Sequence, residues 1–247
     1  MLFERRKYKK FARQQLSGRW TVPVLMTLIS ALVLILFSVP DIISTLKSDA
    51  FAMAATIDFN DISSVNLFIS EVSKIQSSEL LYYIQLAVKA IFEMAGICVF
   101  LKMSRSPEPV SLSLFFEGLN NWFRAILAAL WQFIWIFLWS LLFVIPGIIK
   151  AFAYSQTMLI VAEYKSVSIP RAMKISTVIT RGHKGDIFIM MLSFLGWAFL
   201  AAIPAGLGFL WLSPYVKMTF VNAYHAMMKE ALETGTIKPE DLQAEVK

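Results

Sequence analysis

Long uncharged apolar runs, separated by short charged stretches, set the pattern of this chain. Residues 20–39 and 125–145 carry no charged side chain, and neither do the 30 residues from Ile187 to Val216. About 20 apolar residues in helical form match the hydrocarbon thickness of a bilayer. The 30-residue run is too long for one untilted helix, and Pro204, Gly206 and Gly208 bend it. It therefore divides into spans at 187–203 and 207–224. Two further runs, 80–101 and 148–163, complete the set, the first interrupted by Lys89 and Glu93 and the second shorter than the others. The pattern predicts an all-α membrane protein with six transmembrane helices in three hairpins.

Arg5, Arg6, Lys7, Lys9, Lys10, Arg13 and Arg19 precede the first run, as in a signal peptide. That run is too long for one, and the small residues from Ala50 to Ala54 lie far beyond it, so the reading is an uncleaved first span. In the loop 41–79, Ile62, Val65, Phe68, Ile69, Val72 and Ile75 recur at helical spacing. They predict an amphipathic helix that lies on the membrane surface, caps the spans or binds a partner. Two more amphipathic segments run from Ser111 to Trp122 and from Ser168 to Thr180. In the second, Ser168 stands where a helix is capped and Pro170 in its first turn.

Three β-branched residues followed by proline mark the outer ends of spans: Val39-Pro40, Ile145-Pro146 and Ile203-Pro204. Trp139 and Pro146 align with Trp197 and Pro204 at a constant offset of 58. Proline suits a helix end because it disfavours helical geometry in the residue before it. The coincidence also predicts three tandem units, each a surface helix and a hairpin, related by an axis along the membrane normal.

Charge then orients the spans. With the amino terminus inside, eighteen of the 23 lysines and arginines fall in cytoplasmic segments and only Lys47 and Lys74 outside. Basic residues resist translocation, so both termini, including the tail 229–247, are expected in the cytoplasm. The net charge of +6 is spread by this topology and not gathered on one surface, which argues against nucleic acid. A charged fraction of 16% and an apolar fraction of 57% leave no separate soluble domain. Cys98, the one cysteine, can form no intramolecular disulfide.

Polar residues inside the spans are the candidate chemistry. Tyr82, Gln85, Lys89 and Glu93 share one helix face, where Lys89 and Glu93 either line a polar pocket or neutralise each other. Lys150 with Tyr154 and Thr157, and Tyr215 with Thr219 and Asn222, form secondary stripes. Lys150 can snorkel to the boundary, whereas Lys217 lies deeper and could complement Glu93. Arg171, Lys174, Arg181 and Lys184 surround the polar side of the 168–180 segment and suit anionic headgroups, or ordinary inside anchoring. His183 and His225 make no zinc spacing, and no nucleophile elbow or phosphate loop occurs. No enzyme, cofactor or metal is expected.

The stretches LWSLLFVIPGIIKAFAYSQTMLIVAEY (138–164), RGHKGDIFIMMLSFLGW (181–197) and LGFLWLSPYVKMTFVNAYHAM (207–227), with the opening RKYKKFARQQLSGRW, resemble domain-of-unknown-function family 975. The resemblance runs from about Leu112 to Met227 and implies a bacterial inner-membrane, multi-pass protein without an assigned activity. The loop 41–79 is not part of it. The expected function is to bind or move a lipid or small amphiphile, with anionic headgroups as partners. The alternative is a structural or accessory subunit that recruits protein partners, with a homo-oligomer left open.

Overall fold

In the computed structural model, which describes residues 3–46, 49–54, 56–74 and 79–243, the apolar runs form helices, and no strand occurs among the described residues. The order is α1 (Arg5–Leu16), α2 (Thr21–Leu46), α3 (Asp49–Ala54), α4 (Ile62–Lys74), α5 (Glu79–Arg105), α6 (Ser113–Leu119) and α7 (Trp122–Leu142). Then follow α8 (Val144–Tyr154), α9 (Thr157–Glu163), α10 (Ile169–Ile179), α11 (Lys184–Leu192), α12 (Leu195–Ala202), α13 (Phe209–Glu233) and a 3-10 turn, Pro239–Leu242.

Five stretches are long and apolar enough to cross a membrane: Thr21–Leu46, Leu80–Arg105, Trp122–Leu142, Val144–Glu163 and Lys184–Ala202. The predicted span 207–224 is not among them. It forms the first part of α13, where Lys217, Thr219 and Asn222 dilute the apolar character. Two of the five are interrupted, the fourth at Ser155–Gln156 between α8 and α9 and the fifth at Ser193–Phe194 between α11 and α12.

The chain divides into two compact units, one made of 1–28 with 90–247 and the other of 29–89. In the first, α7 and α8 fold back on each other at Phe143, whose extended backbone (φ −161°, ψ 147°) makes the turn. α12 and α13 fold back through 203–208, where Ala205 and Gly206 both have positive φ. Both apices are apolar and bare, with Phe143 72% and Ile203 78% exposed. A surface of this kind suits a hydrocarbon solvent and not water.

The apex prolines do not share a setting. Pro40 lies inside α2, Pro146 in the first turn of α8 and Pro204 in the turn before α13. α10 starts where predicted, with Ser168 extended at its cap and proline in its first turn, although the Ser168 side chain makes no capping hydrogen bond. Its apolar face is buried through Ala172, Met173, Ile175 and Ile179, so this helix is part of the core. The described part of the tail is docked too. Ile237 is buried, and Arg171 holds Asp241 of the 3-10 turn at 3.0 Å.

In the second unit the predicted amphipathic helix appears as α4, except that Ile75 lies outside the described residues. Asp61 precedes it and accepts hydrogen bonds from the Ser63 hydroxyl (2.6 Å) and from the amides of Ser63 and Ser64 (3.1 Å each). These satisfy donors at a helix start that would otherwise lack partners. They also hold the Asp61 carboxyl below the usual carboxylate range, the Ser63 hydroxyl contributing most.

Candidate functional site

The face predicted on α5 is only partly assembled. Gln85 donates to the Phe37 carbonyl at 3.1 Å and lies 3.4 Å from Asp41. Its acceptor sits beside the Leu36 carbonyl, which Pro40, lacking an N–H, cannot serve as a helical donor would. Gln85 thus supports a proline-disturbed stretch of α2. Tyr82 is exposed and meets Tyr83 edge to face at 5.8 Å. Lys89 is exposed and Glu93 half-buried, and neither forms an ion pair among the described residues. Lys217 makes no ion pair with Glu93.

The densest polar constellation lies elsewhere, where α1 and α13 meet the end of α5. Tyr8, Ala12 and Leu16 recur every four residues on α1 and are buried, Ala12 and Leu16 completely. Such a stripe seats one helix face on its neighbour, and burying a leucine contributes about 1.5–3 kcal/mol. Tyr8 packs with Met190, Phe194 and Ala223, joining α1 to α11 and α13.

Seated there, α1 delivers polar groups to the α5 end. The Arg19 guanidinium donates to the carbonyls of Ser106 (2.7 Å), Glu108 (3.1 Å) and Gln15 (2.6 Å). Carbonyls at a helix end lack donors and carry partial negative charge, so a cation there is worth about 0.3–1 kcal/mol. Gln15 donates to the Ser104 carbonyl at 3.1 Å and accepts from buried Asn222 at 2.8 Å. The Ser104 hydroxyl and the His225 Nε2 are 2.8 Å apart. Burial, with the Arg105 cation second, lowers the His225 pKa to about 4. The ring is therefore neutral at physiological pH, and because the Ser104 hydroxyl donates to the Leu101 carbonyl at 2.8 Å, the tautomer with Nε2–H can donate to the Ser104 oxygen.

Beside it, Glu163 at the end of α9 accepts hydrogen bonds from Arg105 and from the Tyr224 hydroxyl. One carboxylate thereby ties α5, α9 and α13. The groups come from sequence separations of 58 and 61 residues, which a local pattern does not register. The Tyr8, Ala12, Leu16 spacing was the one signal that could have marked α1 as a buried helix.

A second lining serves the interruption in the fourth apolar stretch. The Ser176 hydroxyl donates to the Ala153 carbonyl at 2.7 Å and accepts from the Gln156 amide at 3.2 Å. Thr180 also reaches the Ala153 carbonyl at 3.3 Å. Ser176 belongs to α10 and Thr180 follows its last turn, and both are fully buried.

The remaining predicted residues are dispersed. Lys150 lies 4.4 Å from the Trp139 ring centre and 5.8 Å from that of Tyr154. A cation over an aromatic face at such range is stabilised without a counter-ion. Arg171 is engaged by the tail, Lys174 and Arg181 are exposed, and Lys184 is half-buried at the start of α11. His183 faces Glu230 at 3.0 Å and Asp186 at 3.8 Å. Among the described residues no group of three histidine, cysteine, aspartate or glutamate side chains is placed to hold a metal ion.

Residues 141–231 match the model of the family described as "Protein of unknown function (DUF975)". The match runs from the end of α7 through most of α13 and contains the IPGIIK, GHK and LSFLGW stretches on which the resemblance rests. No curated protein and no solved structure matches the chain. Long apolar helices and this family similarity together describe a membrane protein of unassigned activity.

Proposed function

We propose that the protein is a non-enzymatic, multi-pass membrane protein of the bacterial inner membrane that binds or moves an anionic lipid or amphiphile. In this reading six spans form three hairpins and both termini are cytoplasmic. The observation that carries it is the placement of α1. Its apolar face is seated on α13, while Arg6, Lys7, Lys10 and Arg13 are exposed along the rest of its surface and Phe11 stands among them. Basic side chains beside an exposed aromatic ring form a surface suited to anionic headgroups, each cation contributing about 1 kcal/mol.

The test is native mass spectrometry of the purified chain in mixed micelles of phosphatidylglycerol and phosphatidylcholine. Wild-type protein should retain phosphatidylglycerol preferentially, and the triple variant Arg6→Ser, Lys7→Ser, Lys10→Ser should lose most of that preference. No preference in the wild type would sink the reading.

The rival reading, a subunit that recruits protein partners, rests on α4. Ile62, Leu67, Ile69 and Val72 are exposed there, an apolar surface that a partner protein or a membrane could cover. Deletion of 56–74 that removes copurifying proteins while leaving lipid retention intact would favour it.

A further inference from the structure

The interruption at Ser193–Phe194 opens beside an apolar cleft of about 280 Å³ between α11, α12 and α13. Phe194, Leu195 and Ala198 form one wall, and Phe209, Leu212 and Lys217 belong to the other. The volume is at the low end of ligand sites, roughly 300 Å³, and suits part of one acyl chain better than a whole lipid. Lys217 is its one charged lining residue and makes no ion pair among the described residues.

One cation of α1, Lys9, stands against the Phe194 wall, and a second, Arg13, lies beyond it at Tyr215. Lys9 Nζ donates to the Ser193 hydroxyl at 2.7 Å and stands 4.1 Å from the centre of the Phe194 ring, the ring that lines the cleft. Arg13 donates to the Tyr215 hydroxyl at 3.2 Å, and the Tyr215 ring meets Phe194 edge to face at 5.4 Å. Among the described residues no acidic side chain lines the cleft. The Lys9 ammonium is held below the usual lysine value, by desolvation first and then by the charges of Arg13 and Arg5, as expected where cations gather without an anion.

We infer that this cleft is a binding site for one anionic phospholipid, with an acyl chain between α12 and α13 and its phosphate at Lys217, the Lys9 cation adding to the field from beside the Phe194 wall. The inference deepens the lipid-binding reading and rests on it. Lipid tails are as apolar as the cleft wall, so seating the chain gives little selectivity. Selection must come from charge at the headgroup. The cleft thus sets occupancy and the cations set which lipid occupies it.

Two variants separate these roles in the same mixed-micelle measurement on the full chain. Lys217→Gln should lower the preference for phosphatidylglycerol over phosphatidylcholine by about five-fold, the worth of one basic residue near an anionic headgroup. Ala198→Phe fills the cleft and should remove the tightly held lipid of either class, with an unchanged melting temperature as the check on folding. If the wild-type preference survives in both variants but disappears in the α1 triple variant, the cleft assignment is overturned and the surface reading stands. If the wild type has no preference, both fall.

Discussion

The two hairpins of the first unit carry the same marks in sequence, a tryptophan seven residues ahead of a proline, yet their interruptions fall on opposite arms. In α7 to α9 the arm that leads to the apex is continuous and the returning arm breaks at Ser155–Gln156. In α11 to α13 the leading arm breaks at Ser193–Phe194 and the returning arm is unbroken from Phe209 to Glu233. A break in an apolar helix frees backbone carbonyls that need donors. At the first break the donor to the Ala153 carbonyl is the buried Ser176 hydroxyl, brought by α10. At the second, Lys9 arrives from α1 and binds a serine that is itself exposed. Each break pairs an exposed serine with a buried neighbour, Gln156 at the first and Phe194 at the second; the first is lined by buried hydroxyls, whereas a cation and the cleft lie beside the second.

The largest expected effect concerns the close approach within each hairpin. A Cβ added at Gly208 would lie 2.5 Å from the Ala201 Cα and 2.9 Å from its carbonyl oxygen, so backbone must move. Gly208→Val should cost about 3 kcal/mol, seen as a lowered melting temperature in detergent. At Gly147 the nearest atoms are the Ser140 Oγ at 2.1 Å and Cβ at 2.9 Å, with the Cα at 3.0 Å. Ser140→Gly should therefore largely rescue Gly147→Ala, whereas Ala201→Gly should not rescue Gly208→Ala. Equal rescue in both hairpins would erase the distinction drawn between their crossings.

Ser176→Ala comes next. It strips one donor from the Ala153 carbonyl and the acceptor from the Gln156 amide, both buried, at a cost of about 1–3 kcal/mol. Its counterpart Ser193→Ala removes an exposed contact and should cost less than about 1 kcal/mol. Thermal unfolding of the two single variants side by side tests the ranking, and a reversed order would mean that the second break depends more on its serine than the first does on Ser176.

A smaller effect is expected from pH. The folded-state pKa of His225, about 4, lies below its ordinary 6.5. The unfolded chain therefore binds the extra proton through that window. Stability is fully present above about pH 6.5 and declines as pH falls towards 4. His225→Asn should flatten that part of the melting-temperature profile. An unchanged slope would place the acid sensitivity elsewhere. The smallest effect is Lys9→Met, which should alter stability by no more than about 1 kcal/mol, because its partner is exposed, while reducing retention of phosphatidylglycerol.

Much of the helical plan is legible in the sequence because apolar runs of bilayer length leave few alternatives. α4 follows from spacing alone, and the start of α10 follows from Ser168 and Pro170. The interruptions do not follow. Ser155 and Ser193 sit in runs whose mean hydropathy hides single polar residues, and the donors that make a break tolerable lie in other helices. The Lys89 and Glu93 spacing left pocket lining and mutual neutralisation open, and the described structure forms no ion pair at either residue, since residues one turn apart need not turn towards each other. The Glu163, Arg105 and Tyr224 knot and the Lys9 contact with Ser193 depend on tertiary proximity. Tyr8, Ala12 and Leu16 carried a readable helical period, but the surrounding cations read as a basic stretch ahead of the first span and not as a packed helix.

The bare apices bear on how the chain enters a membrane. Residues 141–149 and 199–211 contain no charged side chain. On the proposed topology, the last hairpin can be inserted without moving a charged apex residue across the hydrocarbon, and the one before it carries only Lys150, beside its apex, across. The loop 41–79, with six acids and two lysines, has no such route and must be exported as polar chain. The two halves of one small protein would then place different demands on the insertion machinery, and depletion of a translocation motor should arrest the first hairpin while sparing the last two.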